Sequence, residues 1–128
     1  MTYTARAKKI LLVDDEEGFS MLLSFMLQKD GYDVVLAHDG LQALEKLTLF
    51  EPDVIVSDVV MPKLDGIEMF KQIKANPKTA NIPFIFISGF QDQHVLERAR
   101  EIGIFGILHK PVDVEQVEAR IAEMTRGR

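Results

Sequence analysis

The chain has 128 residues, 47% hydrophobic and 27% charged, which fits one globular domain able to bury its own core. It has no cysteine, so disulfide scaffolds, thiolate metal sites and cysteine nucleophiles are excluded. The 15 basic and 20 acidic residues leave a net charge of −5, the wrong sign for non-specific nucleic-acid binding.

Lys9 to Val13 is a short apolar run that ends in Asp14-Asp15-Glu16-Glu17, the pattern of a buried parallel strand. The spacing then predicts a helix over 17–30, with Leu22, Leu23, Met26 and Leu27 on or near one face, stopped at Gly31. Asp33 to Ala37 reads as a second strand. Asp39-Gly40 is turn chemistry, and Leu41, Leu44 and Leu47 are spaced for a second helix. Val54 to Val56 is a third strand that ends at Ser57-Asp58, and Met61-Pro62-Lys63-Leu64 is a loop. Asp65-Gly66 opens a third helix with Ile67, Phe70 and Ile73 as its apolar face, stopped at Asn76-Pro77. Phe84 to Ile87 is a fourth strand ending at Ser88-Gly89. Residues 91–102 make a fourth helix with Val95 and Ala99 inward, stopped at Gly103. Ile107-Leu108 centres a short fifth strand ending at Lys110-Pro111. Asp113 caps a last helix with Val117, Ile121 and Met124 on one face.

Five strand–helix units at this spacing predict an α/β fold, a parallel sheet covered by helices on both faces. The units consume nearly all of the chain, so a single domain over 1–128, with its core at about 8–124, is expected without a built-in effector. Apolar stretches of about five residues are too short to cross a membrane. The N-terminal residues form no apolar signal core, and a cytoplasmic protein is the expectation. His38, His94 and His109 are too scattered for a zinc site.

In open α/β sheets, ligands bind beyond the carboxyl ends of the strands. That edge collects Asp14 and Asp15, Asp58, Ser88 with Gly89, and Lys110. Three adjacent carboxylates repel one another, and a divalent cation relieves this. Oxygen donors alone suit a hard ion, Mg2+ or Mn2+. Lys110 offers a compact positive charge and Ser88 a hydrogen bond to the same phosphoryl group, and positioning with charge neutralisation is what phosphoryl transfer needs. An aspartate can itself be the nucleophile. Taken singly, each residue has a plainer reading. Asp14 or Asp15 caps a helix, Asp58 ends a strand, Ser88 serves a turn and Lys110 is a surface lysine. Their meeting at one edge favours the chemical reading.

The sequence resembles the receiver domains of two-component response regulators, the CheY-like family, from about Lys8 to Met124. The matching pieces are Ile-Leu-Leu-Val-Asp-Asp-Glu at 10–16, Asp-Val-Ile-Val-Ser-Asp-Val-Val-Met-Pro-Lys-Leu-Asp-Gly at 53–66, Phe-Ile-Phe-Ile-Ser-Gly at 84–89 and Lys-Pro at 110–111. The resemblance implies a flavodoxin-like (βα)5 three-layer sandwich of strand order 2-1-3-4-5. It implies that Asp58 is the phosphoacceptor. Asp14, Asp15, Asp58 and the backbone carbonyl of Val60 would hold Mg2+. Lys110 and Ser88 would bind the phosphoryl group, Gly89 would leave room for its donor, and the Lys110–Pro111 bond would be cis. The implied partners are a sensor histidine kinase or a histidine phosphotransfer protein, with acetyl phosphate as a small substitute. A second copy of the chain is a further partner on phosphorylation, and neither a membrane nor nucleic acid is expected. The chain would catalyse its own modification without being a turnover enzyme.

Three departures stand out. Ile107 occupies the switch position where the family usually has Tyr or Phe. Val112 stands where Phe is common. Met21 and Phe25, four apart on the first helix, replace more usual charged residues. With Phe90, Ile104 and Phe105 they are candidates for a partner surface, against the plainer readings of scattered surface apolarity and partial core packing. The leading expectation is a phosphorylation switch acting through the surface of the fourth helix, fifth strand and fifth helix. The alternative is a receiver-fold interaction module whose partner binding does not depend on phosphorylation. An aspartate phosphatase needs an acid two residues after its nucleophile, where Val60 stands. A flavodoxin needs a hydroxyl-rich loop where Asp14-Asp15-Glu16-Glu17 stands.

Overall fold

A computed structural model describes residues 7–61, 63–89, 93–104 and 107–126. The elements in chain order are β1 (Lys9–Val13), α1 (Glu17–Lys29), β2 (Asp33–Ala37), α2 (Gly40–Lys46), β3 (Val54–Asp58), α3 (Gly66–Ala75), β4 (Phe84–Ser88), α4 (Gln93–Glu101), β5 (Leu108–His109) and α5 (Val114–Met124). The strands form one parallel sheet of order β2-β1-β3-β4-β5. β5 is narrower than its sequence suggests, with Leu108 and His109 paired to Ile87 and Ser88.

The side chains alternate between two cores, as the period of a strand requires. Leu11, Val13, Ile55, Phe84 and Phe86 face a core shared with Ile67, Met69 and Ile73 of α3, and with Ala43 and Ala99. Ile10, Leu12, Val54, Val56, Ile85 and Ile87 face the other, closed by Leu23 and Leu27 of α1 and by Val117 and Ile121 of α5. Burial on both faces explains why the strands read as unbroken apolar runs.

Helix ends follow local chemistry. Asp39 caps α2 by accepting from the Gln42 N–H at 2.8 Å, so Asp39-Gly40 is a helix start, not merely a turn. Asp65 caps α3 by accepting from the Glu68 N–H at 2.9 Å. α1 and α4 both end in a left-handed glycine, Gly31 at φ 99° and Gly103 at φ 89°. Behind each glycine the next N–H turns back to a helix carbonyl: Tyr32 to Leu27 at 3.0 Å, and Ile104 to Ala99 at 2.9 Å.

The inward faces differ from expectation at several positions. Leu22 and Leu41 are exposed, while Met69 and Leu96 are buried. The three- and four-residue spacings of a short helix allow adjacent faces, and contact with the sheet selects between them. Ile104 is only 5% exposed and packs in the core beside Ala99. This corrects its assignment to a partner surface: the turn after Gly103 folds it inward. Phe90, Phe105 and the loop residue Pro62 lie outside the described residues. Among the described residues, no helix is long and apolar enough to cross a membrane.

Candidate functional site

The parallel order brings the carboxyl ends of β1, β3, β4 and β5 to one edge, where four elements each deliver a polar side chain. Asp14 follows β1 and is buried, and its N–H donates to the Ala37 carbonyl at 3.1 Å. Asp58 is the last residue of β3 and is 9% exposed. Ser88 ends β4 and is buried. Lys110 follows β5 and is tied back to β4, its N–H donating to the Ser88 carbonyl at 2.8 Å.

Lys110 is the hub. Its Nζ lies 2.9 Å from Asp14 Oδ2, 3.3 Å from Glu16 Oε1 and 3.4 Å from Asp58 Oδ2. Asp14 uses its other oxygen to accept from the Glu16 N–H at 2.8 Å. This two-residue turn leads the chain into α1, but the N-cap is Glu16 and no side chain caps the helix, so neither Asp14 nor Asp15 serves as its cap. Asp58 Oδ1 accepts from the Val60 N–H at 3.3 Å. Asp14, Asp15 and Asp58 each bring a carboxylate oxygen to within 4.8 Å of the others, and Asp15 is exposed to solvent. An all-oxygen group of this kind, open to water on one side, fits a hard divalent cation that keeps part of its hydration shell.

The electrostatics follow from this crowding. Burial pushes the Asp58 carboxyl above the usual carboxylate value, and the Asp14 charge adds to this against a downward pull from Lys110. Burial alone would lower the Lys110 pKa. Its hydrogen bond to Asp14 and the charges of Asp58 and Asp14 outweigh that and raise it. Lys110 therefore stays a cation among acids, and Asp58 is an acid held in a place that disfavours its charge.

Backbone packing fixes the loop after β3. The Gly66 N–H donates to the Val59 carbonyl at 2.7 Å. A Cβ on Gly66 would run into the Asp58 carbonyl oxygen, so only glycine lets α3 sit this close. A Cβ on Gly89 would meet Lys110 Cδ at 3.5 Å, an ordinary contact.

The family model described as "Response regulator receiver domain" matches residues 10–122. The chain belongs to that family. Among relatives, this receiver is 39% identical over 119 residues to the alkaline phosphatase synthesis transcriptional regulatory protein PhoP of Bacillus subtilis, covering 93% of the receiver but 49% of the relative. It is 34% identical over 110 residues to sporulation initiation phosphotransferase F of the same organism, covering 86% of the receiver and 87% of that protein. It thus spans about half of one relative and most of the other. A solved receiver domain of a sensor histidine kinase from Pseudomonas aeruginosa superimposes with a TM-score of 0.85 at 27% identity, covering 93% of this chain and 98% of that one. That structure has a magnesium ion coordinated in its active site cleft.

The receiver fold gathers Asp14, Asp15, Asp58, Ser88, Gly89 and Lys110 at one edge, and the Lys110–Pro111 bond is cis. Ile107 is half-buried against the core. Met21 and Phe25 are 63% and 64% exposed on α1. Two neighbours of Lys110 escaped sequence reasoning, Glu16 and Phe19. In the sequence Glu16 stands out only as part of the acidic run after the first strand. The signal was available, since residues three apart on a helix share a face, but it needed the position of Lys110 to acquire meaning.

Proposed function

We propose that the chain is a phosphorylation switch in which Asp58 accepts a phosphoryl group from a histidine kinase or a phosphotransfer protein in the cytoplasm. The observation that carries this reading is Lys110 Nζ within 3.4 Å of Asp58 Oδ2, beside an acid group suited to a metal. An Asp58 oxygen forms a bond to phosphorus while the bond from phosphorus to the donor's nitrogen or oxygen breaks. Asp14, Asp15 and Asp58, with the Val60 carbonyl, would hold Mg2+. When bound, the ion neutralises charge on the transferring phosphoryl oxygens. Lys110 turns from its carboxylates to the new oxygens, and Ser88 donates a hydrogen bond to them. The added charge draws in the loop after β4 and shifts the α4–β5–α5 surface, and a partner reads that change.

Acetyl phosphate with Mg2+ should add one phosphoryl group by intact mass. Retention of that mass in Asp58→Asn would sink the assignment.

The donor's docking surface is the exposed face of α1. Met21, Leu22 and Phe25 stand out from it, beside a groove of 640 Å³ between α1 and the β5–α5 loop that also reaches Gly89 and Lys110. Replacing Met21 and Phe25 together by alanine should slow labelling by a protein donor and leave labelling by acetyl phosphate intact. Equal rates with both donors would remove α1 from the interface.

A second reading draws on Ile107, which provides no aromatic ring to rotate. On that reading the fold binds a partner regardless of its phosphorylation state. A partner that binds Asp58→Ala and phosphorylated wild type equally well would favour it.

A further inference from the structure

Phe19 sits in the first turn of α1, one turn beyond Glu16, and its ring centroid lies 4.2 Å from Lys110 Nζ. That is well inside the range at which a ring face attracts an ammonium. Among the described residues, Lys110 thus has four neighbours for its charged head: oxygens of Asp14, Glu16 and Asp58, and this ring. The carboxylate contacts are directional. Those to Asp14 and Glu16 must loosen when the ammonium turns to new oxygens on Asp58. The ring contact is different, because a π face attracts a cation over a broad range of angles. As the contacts to Asp14 and Glu16 loosen, a ring contact of this kind carries a larger share of the hold on the ammonium.

We propose that Phe19 is a positioning residue for Lys110. Its ring keeps the ammonium at the site while the head exchanges its partners. The proposal rests on the phosphoryl-transfer reading above. It goes beyond it by placing the control of Lys110 on α1, outside the acidic group. Phe19 also lines the groove beside α1 together with Leu22, Leu23 and Met26. Lys110 and Glu16 line the same groove, so a change in its packing bears on the ammonium directly as well as through the ring.

The test compares Phe19→Leu, which keeps apolar bulk without a π face, with Phe19→Tyr, which keeps the ring. The rate of labelling by saturating acetyl phosphate with Mg2+ should fall about fivefold in Phe19→Leu. Phe19→Tyr should label like wild type, with cooperative thermal unfolding kept in both. In NMR spectra the Lys110 Hε protons should stand upfield in wild type and Phe19→Tyr, and move downfield in Phe19→Leu as the ring current is lost. Wild-type labelling by Phe19→Leu, an equal loss in both variants, or Lys110 resonances that ignore the substitution would each overturn the proposal. A wild-type chain that takes no label sinks the switch reading alone. The Lys110 resonances would still decide whether the ring holds the ammonium.

Discussion

The Asp58 carboxylate loses water to burial and feels the Asp14 charge, and both effects lift its pKa above the ordinary carboxylate value. The folded value is then above the unfolded one, so the folded chain binds more protons between the two. Stability from this group is present below the unfolded pKa and is lost as pH rises through the folded one. Asp58→Asn, neutral throughout, should therefore be the more stable protein near neutrality. The gain should shrink as pH falls toward the ordinary carboxylate value, where more of the wild-type carboxyl is protonated. Denaturant unfolding at both pH values checks this, and a gain of equal size at both would contradict the electrostatic cause. The acids were legible in the sequence because each follows a strand's apolar run, and five units place all such ends on one edge. Two of the partners of Lys110 were not. A lysine of four rotatable bonds selects its contacts only after β5, α1 and β1 are assembled, so Glu16 and Phe19 stayed hidden.

Where elements meet, one seam titrates near neutrality. Glu118 on α5 faces Asp30, the residue that ends α1, and lies one turn from Glu115. Burial first, then the two acids, push its pKa up to about 7. Burial first, then the charges of Glu118 and Asp30, likewise raise the neighbouring Tyr32. The sign matches that of Asp58. The stabilising protonated form is complete below the ordinary carboxylate value and is lost as pH rises through about 7. Glu118→Gln should flatten the stability profile between about pH 5 and pH 8 and be the more stable protein at the upper end. Parallel profiles for the two chains would refute the assignment. Sequence periodicity placed Val117 and Ile121 inward correctly but gave no sign of this pair, because Asp30 and Glu118 meet only once α1 and α5 lie side by side. The same limit explains Leu22, which shares the helical spacing of Leu23 but faces out.

Across the whole molecule, the alternation of strand and helix was readable because a parallel sheet buried on both faces leaves unbroken apolar runs, and few other folds do. Strand width was less legible. Nothing in Ile107-Leu108-His109 tells how many residues will pair, since pairing depends on how far β4 extends beside them. The two rims of the sheet are consequently unlike. Among the described residues, β2 is matched to β1 at five positions, whereas β5 is matched to β4 at two. Rims held by few rungs open at lower free energy than the centre. Amides of Leu108 and His109 should exchange with deuterium faster than those of Leu11 and Val56, and equal protection would argue against a loose rim. A rim so brief also offers little template for a foreign strand. It makes the proposed output side inexpensive to reshape: a signal need disturb only a couple of ladder rungs, and the opposite half of the sheet can remain a fixed frame against which that small displacement is measured.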